Sequence, residues 1–426
     1  LCSYRWGMNP LVPRFLSVLL LGLPLGVDAQ PAPVSPAPAR PSAPKPRARE
    51  LGITFGGQAG PLDAITDVPG VEVGHTTLIS GEGKHAVRTG VSAILPRGRG
   101  RIADPVFAAT YALNGNGEMT GAHWVNESGL LAGPVMLTTT NSVGVVRDGV
   151  VVWGAKRGLA WELGLPVTAE TYDGFLNDVN GFHIKTEHAL SAIDGARGGA
   201  VAEGNVGGGT GMLCHGFKGG IGTASRRLDA KLGGYTLGVL VQANYGIRRL
   251  FTVEGVPVGQ EIPDLQACYT GKAPPAFSSD MRPCSERAQL VPQRLTHDLG
   301  SIIVLVATDA PLLPHQLARI ARRVPLALGK MGSVGGDSSG DIFLAFSTQP
   351  TLPPSGSKVA RVESLNNADL NPLFEATVQA TQEAILNALL AAETMTGVDG
   401  VRVFALPGDR LVEALRKYGR LPPAGR

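Results

Sequence analysis

The chain has 426 residues, of which 43% are hydrophobic and only 17% charged, and it carries 57 glycines. This describes a large globular, enzyme-like body, and a glycine share nearly twice the usual one means many tight turns and close backbone approaches. The net charge of +3 arises in residues 1–50, whose six basic and two acidic side chains leave the remainder near −1; no clustered basic surface for nucleic acid is indicated.

Leu1 to Gly7 hold no initiator, and Met8 is the expected start. Arg14 gives a basic n-region, and Phe15 to Leu25 an apolar stretch shorter than the roughly 20 residues needed to span a bilayer. Val27-Asp28-Ala29 is a small-x-small cleavage signal before Gln30. Residues 1–29 are therefore expected to be a secretory signal peptide. The mature protein is then periplasmic or secreted, without stable membrane association; the competing reading of the same segment is an N-terminal anchor. Residues 30–49 follow with seven prolines among Ala, Ser and basic side chains, an extended, poorly packing linker. Residues 50–426 are expected to form a single domain.

Within that domain strands and helices mix. Gly70 to His75 and Gly90 to Leu95 read as short strands, and Val145 to Trp153 as a strand or a short helix. Tyr235 to Gln242, Ile302 to Ala307 and Asp341 to Phe346 are strand-like. Pro314 to Arg323 has helical spacing. Asn371-Pro372 reads as a cap followed by a first-turn proline, opening a helix whose apolar face runs through Phe374, Val378, Ile385, Leu389 and Ala392 until Gly397 stops it. Val401 to Ala405 is a last strand and Arg410 to Tyr418 a last helix. Gly255 to Pro292 is the long irregular stretch. Cys268 and Cys284 bracket part of it and are either bridged, as an oxidising compartment allows, or free thiols. Cys214, in a Gly-rich segment, reads as packed.

Several familiar motifs fail on context. Gly336-Asp-Ser-Ser-Gly340 fits G-x-S-x-G around Ser338, but a nucleophile elbow needs strand, turn and helix, and here a loop precedes a strand. Gly207-Gly-Gly-Thr-Gly211 lacks the Lys-Ser/Thr of a phosphate loop. The eight histidines are scattered, with no H-E-x-x-H and no paired cysteine ligands, so no metal or other cofactor is expected. No histidine has an evident serine partner either.

That leaves Gly300-Ser301, which opens the apolar run Ser301 to Thr308. A serine after a small flexible residue, at the head of a buried strand, suits cleavage of the Gly-Ser bond. Ser301 would then supply both a hydroxyl nucleophile and a free α-amine, whose ordinary pKa of about 7.7–8.0 suits a general base.

The chain resembles the DmpA-type L-aminopeptidase/D-esterase family, which includes the β-peptidyl aminopeptidases. The resemblance runs from about Leu51 to Phe404. It rests on Ala64-Ile-Thr-Asp-Val-Pro-Gly-Val-Glu-Val-Gly-His75, Arg88-Thr-Gly90, Gly115-Asn-Gly-Glu-Met-Thr-Gly121 and Glu170-Thr-Tyr-Asp-Gly174. Further on come Glu203-Gly-Asn-Val-Gly-Gly-Gly-Thr-Gly211, Gly216-Phe-Lys-Gly-Gly-Ile-Gly222 and Val241-Gln-Ala-Asn-Tyr-Gly246. Ala307-Thr-Asp-Ala-Pro-Leu-Leu-Pro-His-Gln-Leu317 and Ser339-Gly-Asp-Ile-Phe343 complete the series. Each motif is weak alone; in this order together they are specific.

The resemblance implies an α/β fold of four layers, αββα, shared with the ornithine acetyltransferases. It implies self-cleavage between Gly300 and Ser301 into an α-chain ending at 300 and a β-chain of 301–426, and a homo-oligomer, a tetramer, of αβ units. Ser301 matches the nucleophile, and Asn244 the residue that helps hold the oxyanion. Ser339 and Asp341 match a serine and an acid near the nucleophile; the family has glutamate at the second position, where this chain has the shorter aspartate. Glu170 matches an acid that binds the substrate's free ammonium, and Tyr172 a tyrosine lining the same site. The implied activity is a serine aminopeptidase for short peptides, amides or esters with a free N-terminus, of α- or β-amino acid. The alternatives are an ornithine acetyltransferase-like acyl transferase, whose nucleophile is threonine, and a non-catalytic periplasmic binding protein.

Overall fold

Every side chain of Ser301–Thr308 is buried, yet successive residues reach different cores. Ile302, Val304 and Val306 join one apolar cluster, and Ile303, Leu305 and Ala307 another. A strand covered on both faces lies inside a layered body, which is why its sequence lacks polar alternation. The computed structural model describes residues 45–159, 161–289, 300–349 and 358–423. The expected signal peptide, most of the Pro-rich segment and residues 290–299 lie outside the described residues.

The first half runs β1 (Glu72–Ser80), β2 (Val87–Leu95), β3 (Val106–Ala112), α1 (Ala122–Ser128), β4 (Leu130–Leu131), β5 (Val135–Thr139), α2 (Val143–Ala155), β6 (Val167–Thr171) and α3 (Thr186–Asp194). The middle holds β7 (Leu213–Cys214), β8 (Phe217–Lys218), β9 (Gly220–Arg227), β10 (Thr236–Asn244), α4 (Val258–Glu261) and β11 (Cys268–Tyr269). The last part comprises β12 (Ser301–Thr308), α5 (Pro314–Ala321), α6 (Val324–Lys330), β13 (Gly340–Ser347), α7 (Asn371–Ala391), β14 (Met395–Thr396), β15 (Val401–Val403) and α8 (Gly408–Lys417).

Two sheets carry the site: a four-stranded one of order β1-β2-β5-β6 and a six-stranded one of order β4-β3-β13-β12-β10-β9. They pack face to face through Ile94, Leu137 and Ala169 of the smaller and Leu240, Ile303 and Leu344 of the larger. On the smaller sheet's outer face, Val91, Ala93 and Met136 meet Val146 and Val150 of α2 and Ala189 and Ile193 of α3. On the larger sheet's outer face, Val239, Val304 and Phe343 share a cluster with Leu317 of α5, Leu328 of α6 and Ile385 of α7. The layers are therefore helix, sheet, sheet, helix, the αββα arrangement that the resemblance implies. β12 and β13 are parallel, and α5 and α6 supply the crossover that parallel neighbours require.

Some expectations change. Val145 to Trp153 lies within the helix α2; its valines at 146 and 150 fall on one helical face and bury it against β2 and β5. α7 begins at Asn371 without a side-chain cap, Leu370 preceding it. It ends at Ala391 rather than near Gly397; Gly397 is glycine for another reason, since a Cβ there would stand 2.1 Å from the Leu176 carbonyl oxygen. Phe374 and Val378 are only half-buried, while Gln382, Glu383 and Asn387 are buried. The polar side is covered by the segment expected to be a free linker. Ala48 is fully buried and donates its N–H to Asn387 Oδ1, Arg49 pairs with Glu383 at 2.8 Å, and Arg47 pairs with Glu203 at 2.9 Å. The packed body thus includes residues 45–49. Gly255 to Pro292 contains α4 and β11, and Cys268 and Cys284 are bridged; Cys214 is a buried free thiol.

Candidate active site

The face of β12 that carries Ile303 and Leu305 looks into the gap between the sheets, and by the two-residue repeat so does Ser301. Along β10 the same repeat turns Leu240, Gln242 and Asn244 inward. At this end the apolar inter-sheet core gives way to polar side chains. Gln242 spans the gap, donating from Nε2 to the Thr138 carbonyl and to Thr171 Oγ1, both at 2.9 Å.

Ser301 sits between two neighbours fixed by register: Asn244 is opposite it on β10, and Gly340 pairs with it on β13. The Gly340 N–H donates to Ser301 Oγ at 3.1 Å. Gly300 has no room for a side chain: a Cβ would stand 2.7 Å from Tyr245 Cα and closer still to the Asn244 backbone.

The amide of Asn244 is locked. Its Oδ1 accepts the Leu213 N–H at 2.8 Å, and its Nδ2 donates to the Tyr172 carbonyl at 3.0 Å. Because the amide oxygen only accepts and the nitrogen only donates, these partners set its orientation. Nδ2 carries a second N–H beyond the one given to Tyr172.

Ser339 and Asp341 flank Gly340. Both are fully buried, and Ser339 Oγ donates to Asp341 Oδ1 at 2.7 Å. The shorter aspartate therefore reaches its serine. The loop after β3, absent from sequence reasoning except as a motif, braces this turn. Asn114 Oδ1 accepts the Asp341 N–H at 2.7 Å and its Nδ2 donates to the Gly336 carbonyl at 3.1 Å. Asn116 Nδ2 donates to the Ser338 carbonyl at 2.6 Å. Ser338 lies in a loop before a strand, so the elbow geometry is absent.

Glu170, at the end of β6, comes to the same place. Gly117 lies between it and the Ser301 neighbourhood: a Cβ there would be 3.2 Å from Gly340 Cα and 3.3 Å from Glu170 Oε1. Glu170 Oε1 accepts the Glu118 N–H at 3.1 Å, and Oε2 accepts the Thr140 hydroxyl. The side chain is 4% exposed, and burial raises its pKa against these two hydrogen bonds. A buried carboxylate with lone pairs to spare is suited to a cationic group. Tyr172 is 41% exposed, with its ring edge-on to Phe175 at 6.4 Å. Its hydroxyl lies over Gly174, and burial, with the neighbouring Asp173 charge, raises its pKa.

Ser301, Asn244, Gly340 and Glu170 thus gather at one end of the inter-sheet gap, with the Ser339–Asp341 pair behind Gly340. A hydroxyl, an amide N–H and a buried carboxylate so arranged can attack a carbonyl, hold the resulting oxyanion and bind an ammonium group. Sequence reasoning missed Asn114, Thr140 and Leu213. Only the Asn-Gly-Asn-Gly run at 114–117, a turn composition, carried a local signal for any of them.

Peptidase family S58 matches residues 63–403. A β-peptidyl aminopeptidase, BapA, of Sphingosinicella microcystinivorans is 51% identical over 387 residues, covering 89% of this chain and 94% of the relative. Among solved structures, a Burkholderia sp. β-aminopeptidase superposes with a TM-score of 0.76 at 44% identity, over 88% of this chain and all of the other. The L-aminopeptidase D-Ala-esterase/amidase of Ochrobactrum anthropi, described as a prototype of the serine aminopeptidases with a variant of the Ntn hydrolase fold, gives 0.78 at 43% identity, over 89% and 100%.

Proposed function

This chain belongs to peptidase family S58 and is an aminopeptidase of that family, and we propose that it releases N-terminal residues, β-amino acids among them, from short peptides, amides or esters through an acyl-enzyme on Ser301. The carrying observation is the placement of Ser301 between Asn244 and Gly340 with Glu170 at the same end of the gap. The inclusion of β-amino acids rests on the relatives named for them.

Maturation begins with attack of Ser301 Oγ on the Gly300 carbonyl carbon, which shifts the Gly300 acyl group from nitrogen to oxygen. Water then hydrolyses the ester, releasing Gly300 as a carboxylate and Ser301 with a free α-amine. In turnover that amine takes the Oγ proton as Oγ attacks the substrate carbonyl. The free N–H of Asn244 stabilises the tetrahedral oxyanion, and the protonated amine returns its proton to the leaving group. Water repeats the sequence to free the acyl product. Glu170 pairs with the substrate's ammonium, which restricts the enzyme to free N-termini.

Export is part of the proposal: the leader of residues 8–29 and the Cys268–Cys284 bridge, typical of oxidising compartments, both favour a periplasmic or secreted protein. The mature αβ units are proposed to assemble as a tetramer. The test is hydrolysis of β-alanyl, L-alanyl and D-alanyl amides by the wild type and Ser301→Ala, with cell fractionation and light scattering of the product. Turnover of β-alanyl amide by wild type alone is expected. Equal turnover by Ser301→Ala would end the acyl-enzyme reading.

A further inference from the structure

Lys218 is a wholly buried lysine that the mechanism above does not use. It lies on β8, and its side chain reaches the turn that follows Gly207–Gly209. Its Nζ donates to three carbonyls: Met212 at 2.9 Å, Gly219 at 3.0 Å and Gly209 at 3.4 Å. Two of these, Gly209 and Met212, belong to the turn that ends in Leu213, whose N–H holds Asn244 Oδ1 at 2.8 Å.

The other half of the Asn244 clamp is held from the opposite side. Asp173, also fully buried, follows Tyr172, whose carbonyl accepts a hydrogen bond from Asn244 Nδ2. Asp173 Oδ1 accepts from Thr139 at 2.7 Å and Asn177 at 3.0 Å. It packs on the same turn: a Cβ at Gly211 would lie 2.8 Å from Asp173 Cβ. The Asp173 carboxylate attracts Lys218, and both pKa values reflect burial, which pulls Lys218 down to about 7 and pushes Asp173 up to about 6.

We propose that Lys218 is a positioning residue for catalysis, tying down the 209–213 turn so that Leu213 and Tyr172 together aim the free N–H of Asn244 at the oxyanion. A buried ammonium is costly unless its donors are used. Here they are spent on backbone carbonyls of the turn that orients the amide. An apolar side chain of equal length would fill the space without fixing that turn. The inference rests on the oxyanion role of Asn244 given above.

Lys218→Met keeps the length and removes the three donors. Self-cleavage of the precursor and kcat on a β-alanyl amide should each fall about 10- to 100-fold, short of the loss of an oxyanion donor itself, while KM stays within about twofold because Glu170 is untouched. A lysine needed only for the fold would change KM and kcat together or lower Tm alone. Either of those patterns, or unchanged kcat in a folded variant, overturns the inference. If Lys218→Met yields no folded protein, Lys218→Gln serves instead: it keeps N–H donors on a shorter stem, so kcat should fall less than about 10-fold at unchanged KM, and a loss of kcat matched by a change in KM overturns the inference. Asn244→Ala separates the two layers. Wild-type kcat in that variant would remove the oxyanion assignment, whereas a slow Asn244→Ala beside a normal Lys218→Met would remove only the role of Lys218.

Discussion

A Cβ on Gly300 would stand 2.0 Å from the Asn244 carbonyl oxygen. The residue before the proposed scissile bond is thus pressed against the backbone of the residue proposed to hold the oxyanion. Gly300→Ala must move one of them. Overpacking of this kind costs about 1–3 kcal/mol, and here it falls on the reacting geometry. The precursor should remain mostly uncut for hours on a denaturing gel under conditions in which wild type is fully processed. Normal processing of Gly300→Ala would show that the bond is cut in a different conformation.

Wild-type protein should run as two bands, the smaller about 13 kDa when scaled from 44.3 kDa for 426 residues. N-terminal sequencing of that band should read Ser-Ile-Ile-Val-Leu. Ser301→Ala should stay full length and inactive, and Ser301→Cys should process, because a thiol is a competent nucleophile. A different N-terminal sequence would move the nucleophile elsewhere.

Glu170→Gln keeps the hydrogen-bonding shape and removes the charge. A charge-assisted hydrogen bond contributes about 1.5–3 kcal/mol, so kcat/KM on alanyl amides should drop roughly 10- to 100-fold. Self-cleavage should survive, since the Gly300-Ser301 bond presents no ammonium. Burial raises the Glu170 pKa, and only the ionised form pairs with the substrate. Wild-type kcat/KM should therefore decline on the acid side at a higher pH than an ordinary carboxylate would give, and Glu170→Gln should lose that limb. A block in processing as complete as that of Ser301→Ala would mean that Glu170 serves the shared machinery instead.

Reduction of the Cys268–Cys284 bridge, which spans a sequence separation of 16, should destabilise the protein. In the chain-entropy account a loop of this size contributes about 3 kcal/mol. Met281 anchors the loop in a small apolar cluster with Val401 and Val403, so the effect should be local. Cys268→Ser with Cys284→Ser should lower Tm and speed proteolysis within 268–284, while kcat changes little. Cleavage spread over the whole body would contradict a local role.

Lys218 also predicts a pH dependence of stability. Its pKa is lowered to about 7 in the fold, against about 10.4 in an unfolded chain. Between these values the unfolded chain binds more protons, so stability rises with pH across that window. Wild type should gain more stability than Lys218→Met between pH 7 and 10, read as the shift in urea midpoint. Parallel curves for the two proteins would show that burial does not depress this lysine.

Local features are legible in the chain itself. A glycine before a serine before six apolar residues marks Gly300, Ser301 and the buried strand, because burial on both faces leaves a continuous apolar run. The ordered motifs then pointed to Asn244, Glu170, Ser339 and Asp341 as candidates and implied four layers. Tertiary structure alone decided what those side chains face. Asn114 reaches Asp341 across 227 residues, and Leu213 turns Asn244 through a backbone N–H that no side-chain pattern encodes. Glu383 and Asn387 lie off the apolar face expected of α7 and are buried because Arg49 and Ala48 cover them. Lys218 looks like any loop lysine until three carbonyls surround it. Periodicity reports whether apolar side chains share a face; a polar side chain is buried only when a distant partner satisfies it, and that partner arrives only when the chain has folded.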